Sequence, residues 1–499
     1  MDKLLVDRTG DGIVTNNGAS ILREMVEHPV GNIISDLAVS HEEGVRDGTT
    51  TTAILTGELL GQADTLIDDD IHPTTLANGY LEAAGHAVEL VEDRAIEIDA
   101  SDADRLVEIA TTSMAGKGTI TEGTDVPALV VEAVQRVATD EGVDLDNVRV
   151  EKVDGPQVGD STLMEGVVVD KERADASFSY RVEDATIAIV DKDIELRELG
   201  KEGDVGISSP ADVTRIRDDQ RSEAVAIVDH LAELDVDAVV CGQNIAEIPR
   251  GLMAERGMYA TRRVHDDDLA ILAEATGANV VAEARELDEA DLGHAGFVEE
   301  TDIGGERKTL VDDCASDTTA TLVLYGSTKG VVDELHRAVK DALSVVAAAV
   351  DKARVVPGGG AVETAAALEL REFATQYDTR EQIAIEAFAD AIDAIPRTLA
   401  ENADINPIDG VVNVRAEQST GTQTAGLDGE TGDVVDVVEA GIVEPLSVKT
   451  RAFETAAEAA IAILRIDGML PRRESAGTDE EMAGEEPAGG MGAGGMGGM

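Results

Sequence analysis

Two short stretches hold residue types suited to a phosphorylated ligand. Asp47-Gly48-Thr49-Thr50-Thr51-Thr52 sets a carboxylate, a glycine and a run of hydroxyls where a helix begins. A helix start presents unpaired backbone N–H groups, and threonine hydroxyls add side-chain donors, so phosphate oxygens fit there. A carboxylate alongside can hold the Mg²⁺ that travels with a nucleotide. The same letters also spell an ordinary Asp N-cap with a Thr-rich first turn. The second stretch, Pro357-Gly358-Gly359-Gly360-Ala361, lies between helical segments. Three successive glycines permit backbone conformations and close approaches that a side chain blocks. It also reads as a helix–helix turn, and it is no Walker A loop, because no Gly-Lys-Ser/Thr follows.

The elements around these stretches are mostly helical at both ends of the chain. Leu4-Leu5-Val6 and Ile13-Val14-Thr15 predict a hairpin, and Ala19 to His28 a helix that Pro29 interrupts. Val30, Ile33, Ile34, Leu37 and Ala38 form a helical stripe. A further helix runs to about Asp68, and another opens at Pro73 and ends near Glu92. The middle differs, with β-rich runs at Leu163 to Val169, Thr186 to Val190, Ala238 to Val240 and Asn279 to Val281. Residues 171–317 therefore read as an α/β domain. Ser209-Pro210 is a strong helix start, and the long polar helix that follows, with Val213, Ile216, Ala224, Ile227 and Val228, is expected to project. Past Leu324 the helical stretches are Val331 to Val350, Val362 to Leu370, Glu381 to Leu399 and Thr455 to Ile466. A helical start and a helical end flanking an α/β insert suggest that the two ends share one domain. Residues 473–499, acidic and then Gly-Met-rich, cannot bury a core and read as a flexible tail.

Composition narrows the function classes. The 499 residues carry 102 Asp+Glu against 40 Lys+Arg, a formal charge of −62. That excludes electrostatic affinity for nucleic acid or an anionic membrane surface. With 43% hydrophobic residues the chain can still fill several cores. Such a surface repels itself unless cations screen it, which points to an intracellular protein of a salt-accumulating organism. Two cysteines, Cys241 and Cys314, imply no disulfide framework. With neither a signal peptide nor a membrane-length apolar run, the expected location is the cytoplasm. Acidic runs such as Asp68-Asp69-Asp70 have no His placed to join them as a metal site, and they suit a solvated surface.

Taken in order, the motifs form a pattern. They are Val14-Thr15-Asn16-Asn17-Gly18-Ala19-Ser20, Asp47-Gly48-Thr49-Thr50-Thr51, Pro357-Gly358-Gly359-Gly360, Ala400-Glu401-Asn402-Ala403, Gly441-Ile442-Val443-Glu444-Pro445 and Ile463-Leu464-Arg465-Ile466-Asp467, with the closing Gly-Gly-Met tail. This series resembles the group II chaperonins, the archaeal thermosome and its eukaryotic cytosolic relatives. The resemblance implies a multidomain α and α/β chain. Residues 1–101 and 357–472 would form an equatorial nucleotide-binding domain, 102–170 and 318–356 an intermediate domain, and 171–317 an apical substrate-binding domain with a helical protrusion after Pro210. It also implies a double ring of identical or homologous subunits that encloses unfolded polypeptide, with ATP and Mg²⁺ as cofactors and K⁺ as a second candidate ion. Residue by residue, Asp47 matches the Mg²⁺ ligand, and Gly48, Thr49, Thr50 and Thr51 the phosphate cradle. Lys117 matches a γ-phosphate sensor and Asp341 an aspartate that orients the attacking water. Gly359 and Gly360 match the adenosine pocket and Glu444 an acid near the ribose. Phosphoryl transfer needs positioning and charge compensation above all, and a carboxylate on a hinge makes hydrolysis wait for closure.

Three departures from the family pattern stand out. Asn17 replaces a second catalytic carboxylate, and an amide can hydrogen-bond water but cannot accept its proton. Arg46 stands where the family has glycine, as a source of strain or as a phosphate clamp. The chain opens at Met1-Asp2-Lys3, inside a segment that a Leu-Gly-Pro phosphate loop should precede. Two readings follow: a slow ATP-hydrolysing chaperonin subunit, or a structural or holding subunit of a mixed ring with impaired turnover. The polar protrusion predicts weak hydrophobic capture of clients, opposed by the strengthening of apolar contacts in high salt.

Overall fold

With no tryptophan, five phenylalanines and five tyrosines, the chain brings its helices together largely through alanine faces. The computed structural model describes residues 3–6, 12–15, 31–32, 48–115, 125–139, 142–155, 157–195, 210–314 and 318–467. The helix expected at Ala19 to His28, the stripe residues Val30, Ile33, Ile34, Leu37 and Ala38, the Ser209 cap and the 473–499 tail lie outside these residues. The predicted hairpin is present as Lys3–Val6 paired antiparallel with Gly12–Thr15.

Helices Thr49–Asp68, Pro73–Glu92, Ala361–Ala374, Glu381–Ile392 and Leu446–Leu464 enclose one core, so segments from near both ends of the chain meet in it. Pro73 opens its helix at the position that needs no N–H, with His72 capping Thr74 N through Nδ1 at 3.2 Å. Fully buried Tyr80 donates to the Leu59 carbonyl at 2.8 Å and meets Phe388 edge-on at 5.8 Å, which locks three helices together.

A second core packs helices Ala103–Met114, Val126–Val137 and Lys329–Lys352 on a three-stranded sheet. Its central strand, Ala320–Gly326, runs parallel to Val148–Asp154 and antiparallel to Thr162–Glu165. The third region is a mixed seven-stranded sheet in the order Tyr259–Arg262, Ala238–Cys241, Arg181–Val190, Gly293–Ile303, Glu306–Cys314, Val167–Val169, with Val280–Val281 added on Arg181–Val190. Apolar clusters cover it: one includes helix Asp266–Thr276, the other helices Pro210–Glu233 and Glu247–Glu255.

The structure corrects four expectations. The run Leu163 to Val169 is two strands in two different sheets, split at Gly166, whose φ of 86° lets the chain cross between them. The helix expected over Glu381 to Leu399 breaks at Asp393, because Pro396 lacks an N–H and its ring would strike the Ile392 carbonyl. Buried Asp393 at the break accepts from Arg371 at 2.5 Å and from Arg415. The last helix starts at Leu446, well before Thr455. The helix from Pro210 does not project along its whole length: Ala224, Ile227, Val228 and Leu231 are buried in the third region.

Candidate functional site

Strand Arg354–Pro357 runs between Val443–Pro445 and Ile96–Glu97, antiparallel to both, and Val356 faces Glu444 across the ladder. From Pro357 the chain turns through the three glycines and enters helix Ala361–Ala374. Gly359 and Gly360 have φ of 58° and 74°, the left-handed region where a side chain is strained. Space is short as well. A Cβ on Gly359 would strike the Leu427 carbonyl oxygen and lie 3.0 Å from Val437 Cγ1, and one on Gly360 would lie 2.8 Å from Pro396 Cβ. A Cβ on Gly358 would lie 3.2 Å from both Glu444 Oε1 and Ile442 Cγ2. Leu427 N donates to Gly359 O at 2.8 Å and Gly358 N to Ile442 O at 3.0 Å. A plain helix–helix turn needs none of this; a fixed, backbone-lined surface does.

The other glycine turn heads helix Thr49–Asp68. The N-cap position is held by Gly48, left-handed at φ 78°, rather than by an aspartate. The first intrahelical bond is Thr52 N to Gly48 O at 2.9 Å, which leaves the N–H groups of Thr49, Thr50 and Thr51 without an acceptor in the helix. Thr52 Oγ1 also bonds Gly48 O, at 3.0 Å, so that hydroxyl serves the helix. Thr49 is buried, Thr51 half-buried and Thr50 exposed. Helix Ala394–Asn402 touches helix Thr49–Asp68, and its Pro396 lies against Gly360, so one short helix adjoins both glycine turns.

Beside the second turn is an ion cluster that sequence reasoning missed. Lys449 Nζ is 2.6 Å from Glu363 Oε1 and 2.9 Å from Glu444 Oε2. Glu363 is fully buried and Lys449 nearly so, while a quarter of the Glu444 side chain is exposed. Burial alone pushes the ammonium pKa down, but Glu363 and then Glu444 outweigh it and hold Lys449 above the ordinary lysine range. Glu363 sits in the first turn of its helix, where the dipole favours an anion. Lys449 also sits in a first turn, where the dipole disfavours a cation. That misfit, in a chain with only 11 lysines, was the available signal.

Asp341 lies half-buried on helix Lys329–Lys352, which touches strand Gly12–Thr15 and strand Val443–Pro445. The structure therefore puts its helix beside the strand leading to Asn17 and the strand carrying Glu444. Asn17, Arg46, Asp47 and Lys117 lie outside the described residues. Among the described residues no group of three or more His, Cys, Asp and Glu side chains could hold a metal ion, and no helix is long and apolar enough to cross a membrane.

The TCP-1/cpn60 chaperonin family model matches residues 1–474. The chain belongs to this family. It is 46% identical to thermosome subunit 1 of Haloferax volcanii over 478 residues, covering 96% of this chain and 85% of that one. It matches thermosome subunit alpha of Halobacterium salinarum at the same identity and coverage. Both organisms bear halophile names, in keeping with the acidic composition. Among solved structures it resembles the open-state monomer of a group II chaperonin from Methanococcoides burtonii, with a TM-score of 0.62 and 35% identity, covering 84% of this chain and all of that one. The multidomain α and α/β architecture is thus that of a group II chaperonin subunit.

Proposed function

We propose that this chaperonin chain is a subunit of an ATP-driven double ring that binds unfolded polypeptides and assists their folding. The observation that carries the nucleotide reading is the glycine turn at 358–360. Its left-handed backbone is hemmed in by Leu427, Val437 and Pro396, and the Glu444 carboxylate lies over it. In this reading the core shared by 49–92 and 356–464 is the equatorial domain, the second core the intermediate domain and the seven-stranded sheet the apical, client-facing domain.

The residues at hand fit a nucleotide. Gly359 and Gly360 give a flat surface for the nucleoside, and the N–H groups of Thr49, Thr50 and Thr51 donate to phosphate oxygens, with Gly48 admitting close approach. Asp47 would hold Mg²⁺ and Lys117 the terminal phosphate, with K⁺ as a second candidate ion. When bound, Mg-ATP supplies the phosphoanhydride whose hydrolysis drives the ring. Asp341 holds and orients the attacking water, and Asn17 lends it a further hydrogen bond.

Asn17, in place of a carboxylate, favours a second reading: a ring subunit that binds nucleotide, holds clients and scarcely turns ATP over. Steady-state ATP hydrolysis by the purified ring in concentrated KCl with Mg²⁺, compared with Asp341→Ala, separates the two. Turnover that the substitution abolishes supports the ATPase reading. An intact ring equally inert with and without Asp341 supports the holding subunit.

A further inference from the structure

The region built on the seven-stranded sheet shows little apolar surface for holding an unfolded chain. Among its described side chains the large apolar ones left exposed are Tyr180 and Val280. Three arginines there stand out instead. Arg262 ends the edge strand Tyr259–Arg262, Arg263 follows it, and Arg250 lies on helix Glu247–Glu255, which follows the neighbouring strand Ala238–Cys241. These strands run parallel to each other and to Arg181–Val190, and in such sheets ligands bind beyond the carboxyl ends.

Local structure holds the three together. The Arg262 guanidinium donates to Asn244 Oδ1 at 2.7 Å, and Asn244 N donates to Asp193 Oδ1 at 2.8 Å. Arg263 sits in the left-handed region at φ 59°, a conformation that costs a long side chain energy and persists only where the surroundings impose it. Its N–H is fixed by the Gln243 carbonyl at 2.7 Å. Burial first, then Arg250 and Arg263, hold the Arg262 guanidinium below the ordinary arginine range, against a smaller pull from Asp175 and Glu172. Asp175 is itself committed to Ser177, whose N–H and hydroxyl it accepts at 3.0 and 2.8 Å. Elsewhere in this region Arg173, Arg181, Arg256, Arg285 and Arg307 each reach a carboxylate. Among the described residues Arg250, Arg262 and Arg263 reach none. Acidic residues outnumber basic ones 102 to 40 in this chain, so three neighbouring guanidiniums without a carboxylate point to one supplied from outside the subunit.

We propose that Arg250, Arg262 and Arg263 form a carboxylate-binding site on the seven-stranded region, where the ring grips unfolded polypeptide by its Asp and Glu side chains. This rests on the client-binding reading above and adds the chemical class of segment that the region takes. Guanidinium suits the task better than ammonium, because its planar fork pairs both oxygens of a carboxylate. At 1 M salt the Debye length is about 3 Å, so attraction at a distance is screened and only groups in contact are read.

The test measures binding of two labelled, unstructured peptides to the assembled ring in concentrated KCl: one bearing several Glu, the other with Gln in their place. The wild-type ring is expected to prefer the Glu peptide by roughly tenfold or more, as charge-assisted hydrogen bonds allow. Arg250→Gln/Arg262→Gln/Arg263→Gln is expected to bring that ratio to about one. Because Arg262 also holds Asn244, Arg250→Gln/Arg263→Gln, which keeps that bond, is measured alongside and should lose most of the preference. Capture of a denatured protein, read as protection from aggregation, is followed in parallel. A triple-variant ring that keeps the wild-type ratio, or a wild-type ring with no preference, overturns the carboxylate site; if denatured protein is still captured, the client-binding reading stands. A variant that no longer assembles places the arginines at a subunit contact and overturns the site as well. A wild-type ring that captures no unfolded chain overturns both.

Discussion

Lys308 Nζ and Glu151 Oε2 lie 2.6 Å apart, both buried, and they join strands of two different sheets: Glu306–Cys314 of the seven-stranded sheet and Val148–Asp154 of the three-stranded one. Arg149 extends the link from Glu151, at 2.7 Å, to Asp268 on helix Asp266–Thr276, and Lys308 reaches Asp170 at 3.1 Å. Burial pushes the Lys308 ammonium down, yet Glu151 and Asp170 raise its pKa on balance. Removing Lys308 takes away one of the two cations that hold buried Glu151, the other being Arg149, so Lys308→Met is expected to cost about 1–3 kcal/mol, and Glu151→Gln/Lys308→Met to recover part of it. Because a buried pair is poorly screened, the coupling energy from the double-mutant cycle should barely change between about 1 and 3 M KCl. A coupling that collapses with salt would show that water reaches the pair.

Glycine substitutions should separate the turn from the helix surface. Gly359→Ala forces a side chain into the left-handed region and against Leu427, and is expected to cost about 2–4 kcal/mol and weaken nucleotide binding. Gly57 is exposed on helix Thr49–Asp68 with open space around its Cβ position, so Gly57→Ala should stabilise by about 0.5–1 kcal/mol. Denaturation of both variants, alongside nucleotide binding, tests the contrast. Equal effects at the two positions would remove the case for a constrained turn.

His336 gives the fold an acid limb. Burial first, then Lys340 and Lys152, pushes it from its ordinary 6.5 down to about 4. In the native state the imidazole stays neutral down to about pH 4, whereas the unfolded chain takes up that proton near 6.5. The unfolded state therefore binds more protons within this window, and stability falls as pH drops from about 6.5 to about 4. Below that, this residue adds no further loss. Urea midpoints for wild type and His336→Gln at about pH 7 and pH 5 check it: the variant should lose less on acidification.

Cys241 should be chemically silent in the native protein. Burial pushes its thiol up to about 11, so almost no thiolate exists at neutral pH. Maleimide labelling of Cys241 is expected only as fast as the surrounding region unfolds. Rapid labelling of the folded protein would show an opening that exposes strand Ala238–Cys241.

Legibility in the sequence followed local rules. Pro73 and Pro210 marked helix starts correctly because proline at the first position is a statement about a single N–H. The hairpin of Lys3–Val6 with Gly12–Thr15 was readable from alternation and turn residues. What escaped was set by tertiary contact. Gly166 looks like any strand glycine until the sheets on its two sides are seen to differ, and the packing of Ala224 to Leu231 reversed a reading based on polarity. The glycine turn at 358–360 was visible as letters, but its reason, the crowding by Leu427, Val437 and Pro396, was not. Lys449 and Glu363, far apart in sequence, carried only a weak dipole misfit as a hint.

The first core also sets the order of events during synthesis. Leu55, Tyr80 and Leu90 are packed by Phe388, Phe453 and Ile461, residues made only after the whole insert has left the ribosome. At about 5–20 residues per second, the early helices wait on the order of tens of seconds for the partners that cover them. The three-stranded and seven-stranded sheets have all their strands within residues 148–326 and can close meanwhile. A chain of this kind is exposed as a nascent polypeptide for longer than its length suggests, and its alanine-rich, aromatic-poor early helices present a less adhesive surface over that interval.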